Sequence, residues 1–230
     1  MVTLITLHML SPDNYDQSMG VLTKNTELAC KAPGFITRKV LIDVTDRLKG
    51  YSMTTWETQQ YMDDFLTSPE RPALEFEGEE NRVYEITPSG RIMVFSLTNS
   101  ASFEIDVEAS NPKLTNSKTW TGRYTQISLH LLLKNNRDQG LDVLRKNTPI
   151  AAKQPGFVSR EVYVCTKDML KSYSIATWES KKALDDFKTA KGRPIIVHGT
   201  DGITYEKNKS GLIAVFPVVD SGVFQTVNEA

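Results

Sequence analysis

Lys31-Ala32-Pro33-Gly34-Phe35 is followed about 20 residues later by Thr54-Thr55-Trp56-Glu57-Thr58. The pair returns as Lys153-Gln154-Pro155-Gly156-Phe157 and Ala176-Thr177-Trp178-Glu179-Ser180. Working outward at an offset of 122, residues 3–72 align without a gap to 125–194, with 34 identities in 70 pairs. Tyr51-Ser52, Asp63-Asp64-Phe65 and Arg71-Pro72 all recur. After one deletion the offset is 121, and Tyr84/Tyr205, Gly90/Gly211, Phe95/Phe216 and Phe103/Phe224 carry the match onward. Solenoid repeats run about 20–50 residues, so a period above 100 reads as a duplicated domain. The expected division is 1–109, a linker at 110–123 in which Trp120 is the residue able to dock, and 124–230.

The 230 residues carry a net charge of −1 and are 40% hydrophobic, ordinary for a globular protein. Lys and Arg are interleaved with Asp and Glu, which argues against nucleic acid as a partner. Apolar runs fall far short of the ~20 residues of a membrane helix. Met1-Val2-Thr3-Leu4-Ile5 has no basic leader character and already belongs to the repeat, so no signal peptide is expected. Cys30 faces Ala152 and Cys165 faces Asp43 across the repeat. Unmatched thiols speak against a disulfide framework or thiolate metal site and fit a cytoplasmic setting.

Each copy reads as β-α-β-β-α-β, the ferredoxin-like α+β order. Residues 2–10 alternate as a strand, and Ser11-Pro12-Asp13 opens a helix over 12–31. Its second copy contains Pro149, expected to kink or shorten it. Strands over 35–44 and 51–56, a short helix holding Tyr61, Met62 and Phe65, and a hairpin over 81–97 follow. Phe103–Val107 reads as a further edge strand.

At Pro-Gly-Phe and Thr-x-Trp-Glu-[Ser/Thr] the chain resembles the antibiotic biosynthesis monooxygenase superfamily of dimeric α+β barrels, over about 60 residues of each copy. The resemblance implies two ferredoxin-like repeats forming an intrachain pseudo-dimeric α+β barrel. It also implies kinship with cofactor-independent oxygenases of polycyclic phenols, quinone oxygenases and haem-degrading enzymes. The haem-degrading members carry an Asn on the first strand and a His soon after the Trp helix. Here Thr6 and Ser128 stand near the first position, and only copy 2 has a later histidine, His198, opposite Phe76.

Alternation supplies the candidate residues with faces. His8 and His130 share a face with Thr6 and Ser128, and a histidine near neutral pH suits a general base for a phenol or enol. A buried seam histidine is the alternative. Arg38 and Arg160 stand on faces shared with Ile36, Val40 and Ile42, and with Val158 and Val162. They read as an oxyanion anchor or as rim arginines with solvated heads. Trp56 and Trp178 read as walls of a flat pocket or as plugs between helix and sheet. Tyr51 and Tyr173 are further substrate-binding candidates, as is His198. Arg71 and Arg193 read as helix-end charges or as a lid. No metal-ligand spacing or phosphate loop is present, so no metal or cofactor is expected.

The function expected is a cofactor-independent small-molecule monooxygenase acting on an aromatic or quinone-like substrate, as a monomeric pseudo-dimer or a homodimer of it. The alternatives are a non-catalytic hydrophobic-ligand-binding or stress-related barrel protein and a structural assembly module. The copies differ where Leu74-Glu75-Phe76-Glu77 faces Ile196-Val197-His198-Gly199 and Met93 faces Ala214. That difference predicts a roomier, more polar pocket in copy 2.

Overall fold

The structure, a computed structural model, describes residues 1–78, 81–112 and 122–229; Trp120 lies outside them. Contacts divide the chain into two compact units, Met1–Phe103 with Phe224–Ala230, and Glu104–Val223. The repeat boundaries and the unit boundaries therefore differ: residues 104–109 belong to unit 2, and 224–230 to unit 1.

Unit 1 contains β1 (Val2–Leu10), α1 (Tyr15–Ala29), β2 (Phe35–Asp43), β3 (Lys49–Trp56) and α2 (Gln59–Leu66). A short hairpin, β4 (Leu74–Glu77) and β5 (Arg82–Thr87), precedes β6 (Gly90–Ser110). β1 pairs antiparallel with both β3 and β6, and β3 with β2, giving the order β6-β1-β3-β2. The β4–β5 pair is an addition to the expected order and extends the β6 side. On the other side Phe224–Glu229 pairs with β2.

Unit 2 repeats the pattern with β7 (Tyr124–Leu131), a 3-10 turn at Lys134–Asn136, α3 (Arg137–Ala151), β8 (Phe157–Cys165), β9 (Lys171–Trp178) and α4 (Lys181–Lys188). The hairpin β10 (Ile195–His198) and β11 (Ile203–Asn208) leads into β12 (Gly211–Glu229). β7 and β8 flank β9, and Asn111 N–H donates to Val158 O at 2.8 Å. The chain is thus α+β, with four helices among its described residues. None is long and apolar enough to cross a membrane.

Helix α1 starts at Tyr15, later than Ser11-Pro12 suggested, and Asn14 turns its side chain to Met93 O instead of capping the helix. α3 keeps the 15 residues of α1. Pro149 lies in its last turn, so the proline shortens nothing.

The two signature motifs meet in space. Phe35 lies opposite Trp56 and Phe157 opposite Trp178, with ring centroids 5.8 and 5.6 Å apart and nearly perpendicular. Glu57 N–H donates to Gly34 O at 2.8 Å, and Glu179 N–H to Gly156 O at 2.9 Å. Thr58 and Ser180 then cap α2 and α4 by accepting from Tyr61 N–H and Ala183 N–H, the usual work of a Ser or Thr at that place. Gly34 and Gly156 have φ of 71° and 74°. A Cβ on Gly34 would stand 2.1 Å from the Tyr61 ring, and one on Gly156 2.8 Å from Ala183 Cβ. Only glycine satisfies both demands.

The register slips between Phe35 and Thr37, and again between Phe157 and Ser159. This bulge sets Phe35 opposite Trp56 while Arg38 lies opposite Thr54, where strict alternation would send them to opposite faces. Ile36, expected beside Arg38, is left 42% exposed. Helix α1 covers the same side, with Val21 and Leu22 packed on Val40, Ile42, Val94 and Phe95. Trp56 closes the other end against Met62, Phe65 and Ala29.

Gly34→Ala and Gly156→Ala are each expected to destabilise the protein by about 1–3 kcal/mol through the strained φ, more where the neighbour cannot retreat. Gly156 has the stiffer neighbour, a methyl on a helix backbone, and is expected to show the larger drop. Equilibrium urea unfolding of both variants checks the size and the order.

Candidate functional site

Each unit encloses a cavity between its sheet face and its helices. The first has a volume of about 300 Å³ and the second about 390 Å³. The first is lined by His8 and Thr6 of β1, Arg38 of β2, and Ser52, Thr54 and Trp56 of β3. From the helical side come Leu22 and Asn25 of α1, Phe65 of α2 and Arg71 just beyond it. The second repeats Ser128, His130, Arg160, Ser174, Asn147 and Arg193. Among the described residues no aspartate or glutamate lines either.

His8 is buried, and its Nε2 lies 2.8 Å from Ser52 Oγ; His130 Nε2 lies 3.0 Å from Ser174 Oγ. Both rings pack on phenylalanines, Phe95 and Phe216, at 4.8 and 4.5 Å. Among the described residues neither Nδ1 has a hydrogen-bond partner. Burial, with the charge of Arg38 or Arg160 added, pulls each histidine down to about 3. Both imidazoles are therefore neutral across the physiological range. Desolvation penalises the imidazolium, and the arginine charge that reaches it has the same sign.

Arg38 is 6% exposed. Its Nε donates to Thr26 Oγ1 at 3.1 Å and its Nη1 to Thr54 Oγ1. Burial and the nearby Arg71 lower it to about 10, and burial with Arg193 does the same to Arg160. Both remain cations at neutral pH. Arg71 donates from Nε to Asn25 Oδ1 at 3.1 Å and from Nη1 to Leu66 O at 2.8 Å, with its guanidinium 5.1 Å from the Phe65 centroid. Arg193 repeats this with Asn147 Oδ1 at 3.1 Å, Lys188 O at 2.6 Å and Phe187 at 4.5 Å. The helix-end arginine thus caps a helix and lines the cavity at once. Each unit holds a pair of guanidinium groups and no carboxylate among the described lining residues; in unit 1 both have neutral oxygens as partners, and in unit 2 Arg193 does. Such an excess of positive charge is suited to attract an anion.

The aromatic candidates divide. Trp56 lines the first cavity, whereas Trp178 is absent from the lining of the second; both are fully buried on Phe65 and Phe187 as plugs. Tyr51 and Tyr173 line neither cavity. Strand alternation puts Ser52 and Thr54 on the cavity side, so Tyr51 takes the opposite face and packs on Phe224 at 5.1 Å. His198 lines the second cavity, with Nδ1 3.3 Å from Thr204 Oγ1, and Phe76 lines the first. Met93 and Ala214 line neither cavity, and their backbone carbonyls accept from Asn14 and Asn136. Asn25 and Asn147 were missed in the sequence. Their signal was a polar identity within Lys-Asn-Thr, kept in both copies on a helix face otherwise read as apolar.

Among the described residues no three His, Cys, Asp or Glu gather as metal ligands. The two cysteines are free.

No family model matches the sequence, and no curated protein matches it. Solved structures do. A candidate monooxygenase from Lactobacillus acidophilus NCFM matches 100% of this chain and 95% of its own at TM-score 0.60 and 9% identity. One from Fusobacterium nucleatum matches 96% and 93% at TM-score 0.63 and 8% identity. An anthrone oxidase-like protein matches 100% and 92% at TM-score 0.59 and 14% identity. At such identities the likeness is one of fold. What is shared with these structures is the α+β fold, along nearly the whole of each chain.

Proposed function

We propose that the chain is a small-molecule oxygenase that works on an aromatic or quinone-like substrate without a bound cofactor. The observation that carries this reading is the buried arginine with a half-buried second arginine that faces each cavity, with no carboxylate among the described lining residues. Such a site favours the ionised form of an acidic aromatic compound. Its electron-rich anion is the form that reacts with oxygen. For an anthrone-like substrate the balance is closed: one ring methylene and one dioxygen give one ring carbonyl and one water. One oxygen atom enters the product, and the other leaves as water with the two methylene hydrogens.

In this reading Arg38 with Arg71, and Arg160 with Arg193, hold the anion as it forms, an electrostatic contribution of several kcal/mol in a dry site. Trp56 walls the first cavity, and His198 gives the second a hydrogen-bonding group. His8 and His130 take the substrate proton. A histidine pulled down to about 3 is a weak base in the empty site. An anion formed beside it opposes the effect of the arginine and raises its affinity for the proton. Proton transfer and anion formation are then one coupled event. The reading as a ligand-binding protein without turnover draws on the same depressed histidines. It is distinguished by tight binding with no oxygen uptake.

Oxygen consumption across anthrones and hydroquinones tests the proposal. The Arg38→Met/Arg160→Met variant is expected to lose about 10²-fold or more in kcat/KM. The His8→Gln/His130→Gln variant should also fall, and turnover equal to the parent removes the base role. The pH profile gives a second test. The histidines titrate near 3 rather than near 6.5, so they stay neutral from about pH 5 to 8 and protonate only well below that. With an anthrone that does not itself ionise in the range, kcat/KM is expected to be flat there. An inflection at about pH 6–7 that disappears in the double His variant would overturn the assignment.

A further inference from the structure

The two cavities share their arginines but not what surrounds them. In unit 1 Arg38 faces Thr54 across the β2–β3 register and donates to its hydroxyl, while its Nε is held by Thr26. In unit 2 the residue facing Arg160 is Ala176, whose side chain has no acceptor. The bond matching Arg38–Thr26 is also missing. Arg160 Nε and Thr148 Oγ1 are both buried without a partner among the described residues, in side chains 6% and 2% exposed. A buried guanidinium donor left unsatisfied is costly, and a ligand acceptor removes that cost.

The rest of the lining changes in the same direction. Leu4, Phe76 and Leu66 line the first cavity. At the matching positions stand Gln126 and His198, which line the second, and Lys188, which does not. Thr204, beside His198, also lines the second. The charges that reach Arg160 are those of Arg193, which repels, and Glu161, its neighbour on β8. Glu161 is not among the lining residues, and no other described carboxylate is.

We propose that the two cavities differ in ligand class. The second is the anion site, taking an aromatic ligand through a carboxylate, phenolate or enolate oxygen on Arg160 and Arg193. The first admits its aromatic ligand uncharged, because Arg38 is already engaged by Thr26 and Thr54, so that an anion arises there only as a proton leaves. This rests on reading the cavities as ligand sites and is independent of any reaction with oxygen.

The test exchanges one hydroxyl. Titration calorimetry of the full chain with 2-naphthoate, and with 2-naphthalenemethanol as the uncharged probe, is expected to find one tight naphthoate site. Arg160→Met abolishes it and Arg38→Met leaves it. Ala176→Thr gives Arg160 the partner that Arg38 has, and is expected to weaken naphthoate about tenfold with little effect on the alcohol. Thr54→Ala, the reciprocal change, is expected to create a second naphthoate site. Because unit 1 accommodates threonine at this position and unit 2 alanine, both variants should fold, which circular dichroism checks. Naphthoate affinity unchanged in both variants, a site lost with Arg38→Met instead, or no naphthoate binding at all would each overturn the proposal. Lack of oxygen uptake with every substrate would remove the oxygenase reading and leave this binding result standing.

Discussion

A buried guanidinium facing a cavity with no carboxylate among its described lining residues is the constraint around which each unit is arranged. Desolvating such a cation is costly unless its donors are satisfied. In unit 1 three elements contribute to that: Thr26 from α1, Thr54 from β3, and the sheet that carries Arg38 itself. The second arginine, beyond α2, is held by Asn25 and by the carbonyl end of its own helix. All these partners are neutral. The positive charge is solvated by dipoles rather than by a carboxylate, and it helps keep His8 unprotonated.

Much of the architecture was legible because a few residues carry it by local necessity. Pro-Gly-Phe and Trp-Glu-[Ser/Thr] form one device seen from two strands. The glycine admits a left-handed turn against a helix, its carbonyl receives the residue after the tryptophan, and the hydroxyl two residues past that tryptophan caps the next helix. Each step depends on residue type, so the spacing survives in both copies. The β4–β5 hairpin and its counterpart were less legible. Their first strands have four residues each with mostly exposed side chains, and short edge strands leave little periodicity to read.

The site was legible in its residues and less so in their chemistry. His8, Arg38, His130 and Arg160 do come to one cavity per unit, because polar identities on strand faces are a direct signal. The protonation of the histidines was not readable, since it depends on which cation the fold brings beside them. The bulge after Phe35 was hidden for a related reason. It exchanges Ile36 for Phe35 on the inner face, and a period-2 pattern cannot register a one-residue slip. Asn25 and Arg71 bond across 46 residues; the repeated arginine was visible in the sequence, and its asparagine partner was not.

Two like units in one chain change what a site of this kind can tolerate. In a symmetric dimer of one gene product, every substitution near the arginine appears in both cavities together. Here Thr54 and Ala176 are separate positions. One cation keeps its hydroxyl partners while the other loses them. The unit that retains them is internally satisfied, whereas the unit that has lost them has donors to offer a ligand. The difference is one hydroxyl beside a buried charge, where the low polarity of the surroundings magnifies it. The strand register around it is the same in both units: Arg38 faces Thr54 as Arg160 faces Ala176. Divergence between the copies is therefore carried by what surrounds the charge and not by the scaffold that places it.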